Sequence, residues 1–204
     1  MAPQDLANER DDFREPDFHK PFSLATYLAN TPSDVTCKGL FFQDFVQAVR
    51  TARPQVNAQE LPELERKVAA FADYPLRGHM ELAVRAAGLI YPGVPIREGL
   101  RRVGWRMFPS FVDSLVGKVI FTFVSMELDK VFELGPRAFP PSMSHGRAES
   151  EHVGPQHWRI HFREIYGFLD CYYVGAMEGP IRRANKRPAV KLRLDSPSDG
   201  TLDV

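Results

Sequence analysis

Between Lys38 and Leu134 apolar residues recur at the three-to-four spacing of amphipathic helices, and beyond Pro140-Pro141 the spacing changes to strict alternation. The first helix is expected over Lys38–Val49, with Leu40, Phe41, Phe45, Val46 and Val49 on one stripe and Thr36 or Asp34 as its amino cap. A second is expected over Glu60–Phe71, amphipathic through Leu64, Val68 and Phe71, with Pro62 in the first turn where a missing N–H costs little. Leu76–Tyr91 reads as a third, ended by Pro92-Gly93, and a fourth starts near Pro95 with Ile96, Leu100, Val103 and Met107 along one side. Ser110–Ser125 has little polar surface and is read as the central core helix. Glu127–Leu134 adds a short helix closed by Gly135-Pro136.

The alternating part begins with a strand at Arg147–Val153. A stronger one follows at His157–Ile165, where Trp158, Ile160 and Phe162 share one face and His157, Arg159, His161 and Arg163 the other. Tyr172–Asn185 returns to helical spacing, and Pro180 is expected to kink or split that helix. Strands at Val190–Leu194 and Thr201–Val204 flank a turn at Ser196–Gly200. The order of elements describes an α+β protein: helices first, then an antiparallel sheet with one helix inserted between its strands. Residues 1–34 mix prolines with charges and read as a largely irregular arm, leaving 35–204 as a single domain.

Composition narrows the function classes. Of 204 residues, 26 are Lys or Arg and 26 Asp or Glu, so no net charge draws the chain to nucleic acid. The basic run Arg182–Arg193 has no interleaved aromatics for stacking bases. The longest apolar run, Phe108–Met126, is broken by Asp113 and Lys118, which argues against a membrane span. Two cysteines, Cys37 and Cys171, and a polar amino terminus point to the cytoplasm.

Few residues carry chemistry. His157 and His161 are four apart, but on a strand their side chains stand roughly 13 Å from each other, too far to share a zinc with bonds of about 2 Å. No metal site is expected. Cys171 precedes a helix amino terminus, the setting that activates thiols, yet a buried, inert cysteine is the simpler reading. Glu178 falls within reach of Arg182 at i+4, a structural pairing. Gly175 and Gly179 lack the Lys-Ser or Lys-Thr of a phosphate loop and are read as helix-packing positions.

The aromatic content suggests either a filled core or an apolar pocket. Phe111, Leu115, Val119 and Phe123 are expected against the sheet face of Trp158, Ile160 and Phe162. Leu40, Phe41, Phe42, Phe45 and Val49 are expected as an interface for a protein partner or a second copy.

Lys38-Gly39-Leu40-Phe41-Phe42, Tyr91-Pro92-Gly93, Arg97-Glu98-Gly99-Leu100-Arg101-Arg102-Val103-Gly104 and Tyr173-Val174-Gly175-Ala176-Met177-Glu178-Gly179 occur in an order that resembles a paralogous myxobacterial family known as a domain of unknown function. The resemblance covers Cys37–Val204 and implies no activity. More distantly, helices followed by a strand, a Tyr-x-x-Gly-x-x-x-Gly helix and a terminal hairpin are similar to 4-vinyl-reductase-like domains, TRAPP trafficking subunits and haem nitric-oxide-binding domains. This implies a helical layer packed on a small antiparallel sheet. The chain departs from these groups in having no cysteine in its terminal hairpin and no Tyr-x-Ser-x-Arg signature for haem propionates. The expectation is a non-catalytic, self-associating ligand-binding or interaction module without a cofactor. The alternatives are a small-molecule sensor with an apolar pocket, or an enzyme using Cys171, His161 or Glu178.

Overall fold

The computed structural model describes residues 12–113, 118 and 127–204. Helices α1 (Leu24–Ala29), α2 (Leu40–Ala52), α3 (Leu76–Ile90), α4 (Ile96–Asp113), α5 (Leu128–Leu134) and α6 (Phe139–Ser142) precede the main sheet. That sheet comprises β3 (Arg147–Gly154), β4 (His157–Arg163), β5 (Lys191–Leu194) and β6 (Gly200–Asp203), and α7 (Tyr172–Arg183) lies between β4 and β5 in sequence. All pairings are antiparallel in the order β3-β4-β6-β5. A second, two-stranded sheet joins β1 (Thr36–Lys38) to β2 (Asp73–Pro75). This is the expected α+β arrangement, helical layer first and small sheet last.

In β4 the alternation holds residue by residue: Trp158, Ile160 and Phe162 are buried and the intervening residues half-buried. The buried face joins α7 through Tyr173, Val174 and Ile181 in one hydrophobic cluster. A second cluster fills the helical layer between α2, α3 and α4 around Phe45, Val49, Met80, Leu82 and Leu100.

Several expectations are corrected. Glu60–Phe71 is not a helix, and only Pro62–Leu64 makes a single 3-10 turn. The next stretch serves α2 instead: Gly39 N–H donates to the Ala72 carbonyl (2.9 Å), Leu40 N–H to Ala70 (2.9 Å), and Gln43 Nε2 to Val68 (2.7 Å). Backbone carbonyls thus satisfy the unpaired donors that open a helix, and neither Thr36 nor Asp34 caps α2, whose first position follows Gly39 without a side-chain cap. Phe71, placed by its spacing on an apolar stripe, is 57% exposed. Pro180 does not split α7, which runs unbroken to Arg183; its other face is clamped against α4, as described below. Of the expected Ser110–Ser125 helix, α4 includes residues 110–113. Leu115, Val119 and Phe123, with the side chain of Phe111, lie outside the described residues.

Within the expected irregular arm, α1 and its flanks dock on the domain. Tyr27 Oη donates to Asp170 Oδ1 (2.7 Å), while Asp170 Oδ2 pairs with Arg97. Phe22 stacks on Tyr27, and both rings meet Phe168. Arg14 exchanges two backbone hydrogen bonds with Leu192 on the β5 edge (3.0 and 2.8 Å).

Candidate functional site: a cavity beside a close-packed helix seam

Helix α7 has two faces of opposite character. Cys171, Gly175, Glu178, Gly179 and Arg182 follow one stripe of the 3.6-residue repeat. Along it α7 meets α4 so closely that a Cβ on Gly175 would overlap the Arg101 carbonyl, one on Gly104 the Tyr172 carbonyl, and one on Gly179 would lie 2.9 Å from the Trp105 carbonyl. Hydrogen in place of a side chain is what lets the two backbones touch. The same seam buries Glu178, 4% exposed, under Arg101, whose Nε and Nη2 donate to its two oxygens (2.9 and 2.7 Å). Trp105 Nε1 also donates to Glu178, and Arg182 stands 3.7 Å away. A buried carboxylate with this many donors is fully satisfied.

Tyr172, Tyr173, Ala176, Met177 and Pro180 occupy the opposite stripe and line a cavity of about 160 Å³. Its other walls come from Ile160 and Phe162 of β4, Ala148 of β3, Phe41 of α2, His79 of α3, Met107 and Phe108 of α4, Val131 and Phe132 of α5, and the Gly135–Met143 segment. The void therefore sits where the helical cluster and the sheet cluster meet without filling the space between them. Gly135, Pro136 and Phe139 are half-buried, as are Phe41, Ala148, Ala176 and Met177 on the other walls.

The lining is apolar with two informative exceptions. His79, 7% exposed, is ringed by Phe41, Phe42 and Phe45 (ring centroids 6.1, 5.5 and 4.8 Å away), and its buried Nε2 has no hydrogen-bond partner among the described residues. Burial pushes its pKa down from 6.5 to about 4, because the charged imidazolium would be desolvated. At neutral pH it is an uncharged imidazole. Ser142, 4% exposed, likewise has a buried Oγ without a partner among the described residues. Tyr173 Oη reaches the Met143 sulfur at 3.7 Å. No Asp, Glu, Lys or Arg lines the cavity among the described residues.

The sequence-derived site residues are distributed differently from expectation. Ile160 and Phe162 line the cavity, whereas Trp158 lies to the side, donating from Nε1 to Asp129 of α5 (2.9 Å). Of the expected interface, Leu40, Phe42, Phe45 and Val49 are buried in the chain's own core, and Phe41 faces the cavity. The apolar face of α2 packs against α3 within the chain.

The residues considered for an enzyme are not brought together. Cys171 is fully buried, and desolvation followed by the nearby Asp170 charge raises its pKa well above the usual thiol value, which keeps it protonated. His161 lies on the face of β4 turned away from α7, 3.5 Å from Glu151 and 3.3 Å from Thr201. Glu178 is enclosed by the seam. Among the described residues, no three His, Cys, Asp or Glu side chains group as a metal site, and no helix is long and apolar enough to cross a membrane.

His79 had a legible signal that sequence reading missed. It sits three residues after Leu76 and four before Ala83, on the inward stripe of α3, where a titratable residue is out of place. Ser142, Met143 and Phe139 had none, because they lie on and beside the one-turn helix α6, too short to show a period.

The family model described as "Protein of unknown function (DUF2378)" matches residues 31–204. The chain belongs to this family. No curated protein matches it. Among solved structures, an oxygen-binding H-NOX domain related to soluble guanylate cyclases superposes with a TM-score of 0.60 at 14% identity, over 81% of this chain and 92% of that one. An H-NOX protein from S. oneidensis in the Fe(II) ligation state gives 0.60 at 11% identity, over 81% and 94%. A mutant H-NOX from T. tengcongensis gives 0.60 at 14%, over 81% and 95%. At such identities the likeness establishes a shared fold.

Proposed function

We propose that this chain is a small-molecule-binding sensor module whose ligand occupies the cavity between α7, β4 and α5. The carrying observation is a void of about 160 Å³ at the junction of two otherwise filled clusters, walled by apolar side chains. Protein interiors are packed nearly as densely as organic crystals, so a space of this size is retained at a cost in stability. The H-NOX fold supports the reading, because its solved members include an oxygen complex. Burial of the α2 interface residues inside the core weighs against the self-associating interaction module. Residues 35–204 act as one domain in this account, and the buried, unpaired Cys37 and Cys171 suit a reducing compartment.

Haem itself does not fit the residues present. The volume is close to that of an engineered cavity that holds benzene, far short of a porphyrin. No described side chain in the wall carries a positive charge for two propionates, and the chain has no Tyr-x-Ser-x-Arg run.

Native mass spectrometry of the gently purified full chain tests the proposal. The expected result is an adduct of a few hundred daltons or less, lost on denaturation and absent from Ala148→Phe, which fills the void. An apoprotein that also fails to take up toluene added to saturation would refute it.

A further inference from the structure

We infer that residues 13–31 form a releasable strap whose docking is coupled, through the first turn of α7, to occupancy of the cavity. The coupling rests on the cavity being a binding site and gives that site a means of altering the outer surface of the molecule.

The strap lies on the surface of the domain. From Asp12 to Asn30 every residue is exposed or half-buried, α1 included, and Thr31, 2% exposed, is the first that is enclosed. Thr31 is also its root, with a carbonyl that accepts from Arg77 Nε and Nη2 of α3 (2.9 and 2.6 Å). Beyond the root, aromatic rings of the strap lie against arginines of the domain. Arg97 stands over Phe22 and Tyr27 (5.9 Å to each ring centroid), Arg101 over Phe18 (4.5 Å), and Arg159 and Arg193 over Phe13 (5.3 and 5.4 Å). Such contacts are individually weak at an exposed surface. A segment with so little buried belongs to the part of a fold that opens first. Opening frees the Leu192 N–H and C=O that Arg14 covers, and so uncovers a strand edge able to pair with another chain.

The clasp of the strap sits on the residue that opens α7. Phe168 meets the rings of Phe22 and Tyr27 at 5.6 and 5.0 Å between centroids. Its carbonyl accepts from the N–H groups of Cys171, Tyr172 and Tyr173 (3.1, 2.9 and 3.3 Å). Its φ of 43° is left-handed, a conformation that a bulky residue keeps only where its surroundings impose it. Asp170, two residues on, accepts from the Tyr27 hydroxyl with one oxygen and pairs with Arg97 through the other. The strap therefore helps to hold the turn that positions Tyr172 and Tyr173, and both of these line the cavity. Side chains that border empty space lack packing partners on that side. A ligand supplies them, steadies the first turn of α7 and with it the platform of Phe168 and Asp170, and so fastens the strap. Linkage makes the effect reciprocal: a docked strap tightens ligand binding by the same factor.

Toluene is the probe. Calorimetry of the full chain reports whether it binds, and hydrogen-exchange mass spectrometry with and without it reports the state of the strap. In the free chain, peptides covering residues 13–30 should exchange faster than those covering α7. Saturating toluene should slow them about fivefold or more, and should leave residues 53–66, which do not line the cavity, unchanged. With Phe22→Ala and Tyr27→Ala combined, the strap should exchange as an open segment with or without toluene while α7 keeps its protection. Toluene should then bind more weakly by the same factor by which it slowed the strap. Tyr27→Phe keeps the ring and loses only the bond to Asp170; it should move both readings in the same direction by a smaller factor, and it carries the test where the double variant does not fold. Toluene bound with strap exchange unchanged, or undiminished toluene affinity in a variant whose strap is open, overturns the coupling and leaves the cavity as a binding site. A strap that exchanges as slowly as α7 in the free chain overturns its release. No uptake of toluene by the natural chain overturns the binding site and the coupling together.

Discussion

The two faces of α7 are separated by less than the width of a helix, yet one is packed until only hydrogen fits and the other borders empty space. On the α4 side Gly104, Gly175 and Gly179 let backbones touch, and Arg101, Trp105 and Arg182 close over Glu178. On the cavity side Ala176, Met177 and Pro180 face a void bounded by apolar side chains. A helix held rigidly on one side can border unfilled space on the other without collapsing into it. The seam fixes where α7 stands, and that position keeps the cavity open. This also accounts for the unbroken helix at Pro180. The missing N–H removes one bond on the cavity side, while the contacts that hold the axis lie opposite.

The sharpest way to break this contrast is to disturb the seam. Gly175→Ala drives a methyl group into the Arg101 carbonyl, and backbone cannot yield as a side chain does. The expected loss is at least about 4 kcal/mol of unfolding free energy, read from urea denaturation. A loss below about 1 kcal/mol would mean the helices separate easily and the seam is not rigid.

Glu178→Ala should cost about 3 kcal/mol, because Arg101 and Trp105 would be left facing a buried, anion-free site. Glu178→Gln keeps one acceptor oxygen and the side-chain volume but turns an NH2 donor on the Arg101 and Trp105 donors, and should lose somewhat less than the alanine. Equal losses would assign the effect to charge alone.

His79 makes the cavity side depend on pH. Its folded pKa of about 4 lies below the unfolded value of 6.5, so between these limits the unfolded chain binds a proton that the folded chain refuses. Stability therefore falls as pH drops from 6.5 to 4. Asp44 on α2 acts in the opposite sense: burial raises it from 3.8 to about 6, so in that window the folded chain holds a proton the unfolded chain has released. The two slopes offset in the natural protein. His79→Phe removes one of them, and its stability relative to the natural chain should rise by at most about 3 kcal/mol from pH 6.5 to pH 4. Denaturation at several pH values measures this, and a pH-independent difference would place His79 in contact with solvent.

Filling the void should matter least. Ala148→Leu is expected to change stability by no more than about 1 kcal/mol, in either direction, whereas a smaller addition, one methyl group, is ruinous at the seam. A loss comparable to that of Gly175→Ala would show that the space is already closed in solution.

The strand β4 and the seam were largely legible in the chain. Trp158, Ile160 and Phe162 alternate with polar residues, and alternation has one structural meaning on a half-buried strand. Gly175 and Gly179, one turn apart on an apolar helix, announce close approach, and Arg182 sits at ion-pair spacing from Glu178. The segment Glu60–Phe71 was misread because its apolar spacing was helical while its carbonyls were claimed by the first turn of α2. Similarly, Phe42 and Phe45 looked available for a partner until α3 covered them.

Local periodicity and backbone sterics are properties of neighbouring residues, so the amino-acid sequence by itself determined most of the helices, the strands of the main sheet, their order and the glycine contact stripe. The cavity is a different kind of object. It is bounded by Phe41, His79, Phe132, Phe162 and Met177, residues drawn from five elements with no shared spacing, and it exists because two hydrophobic clusters fail to close on each other. Volume left between elements depends on how they dock, and only the tertiary structure decided that a histidine on the inward stripe of α3 would stand in its wall without a partner.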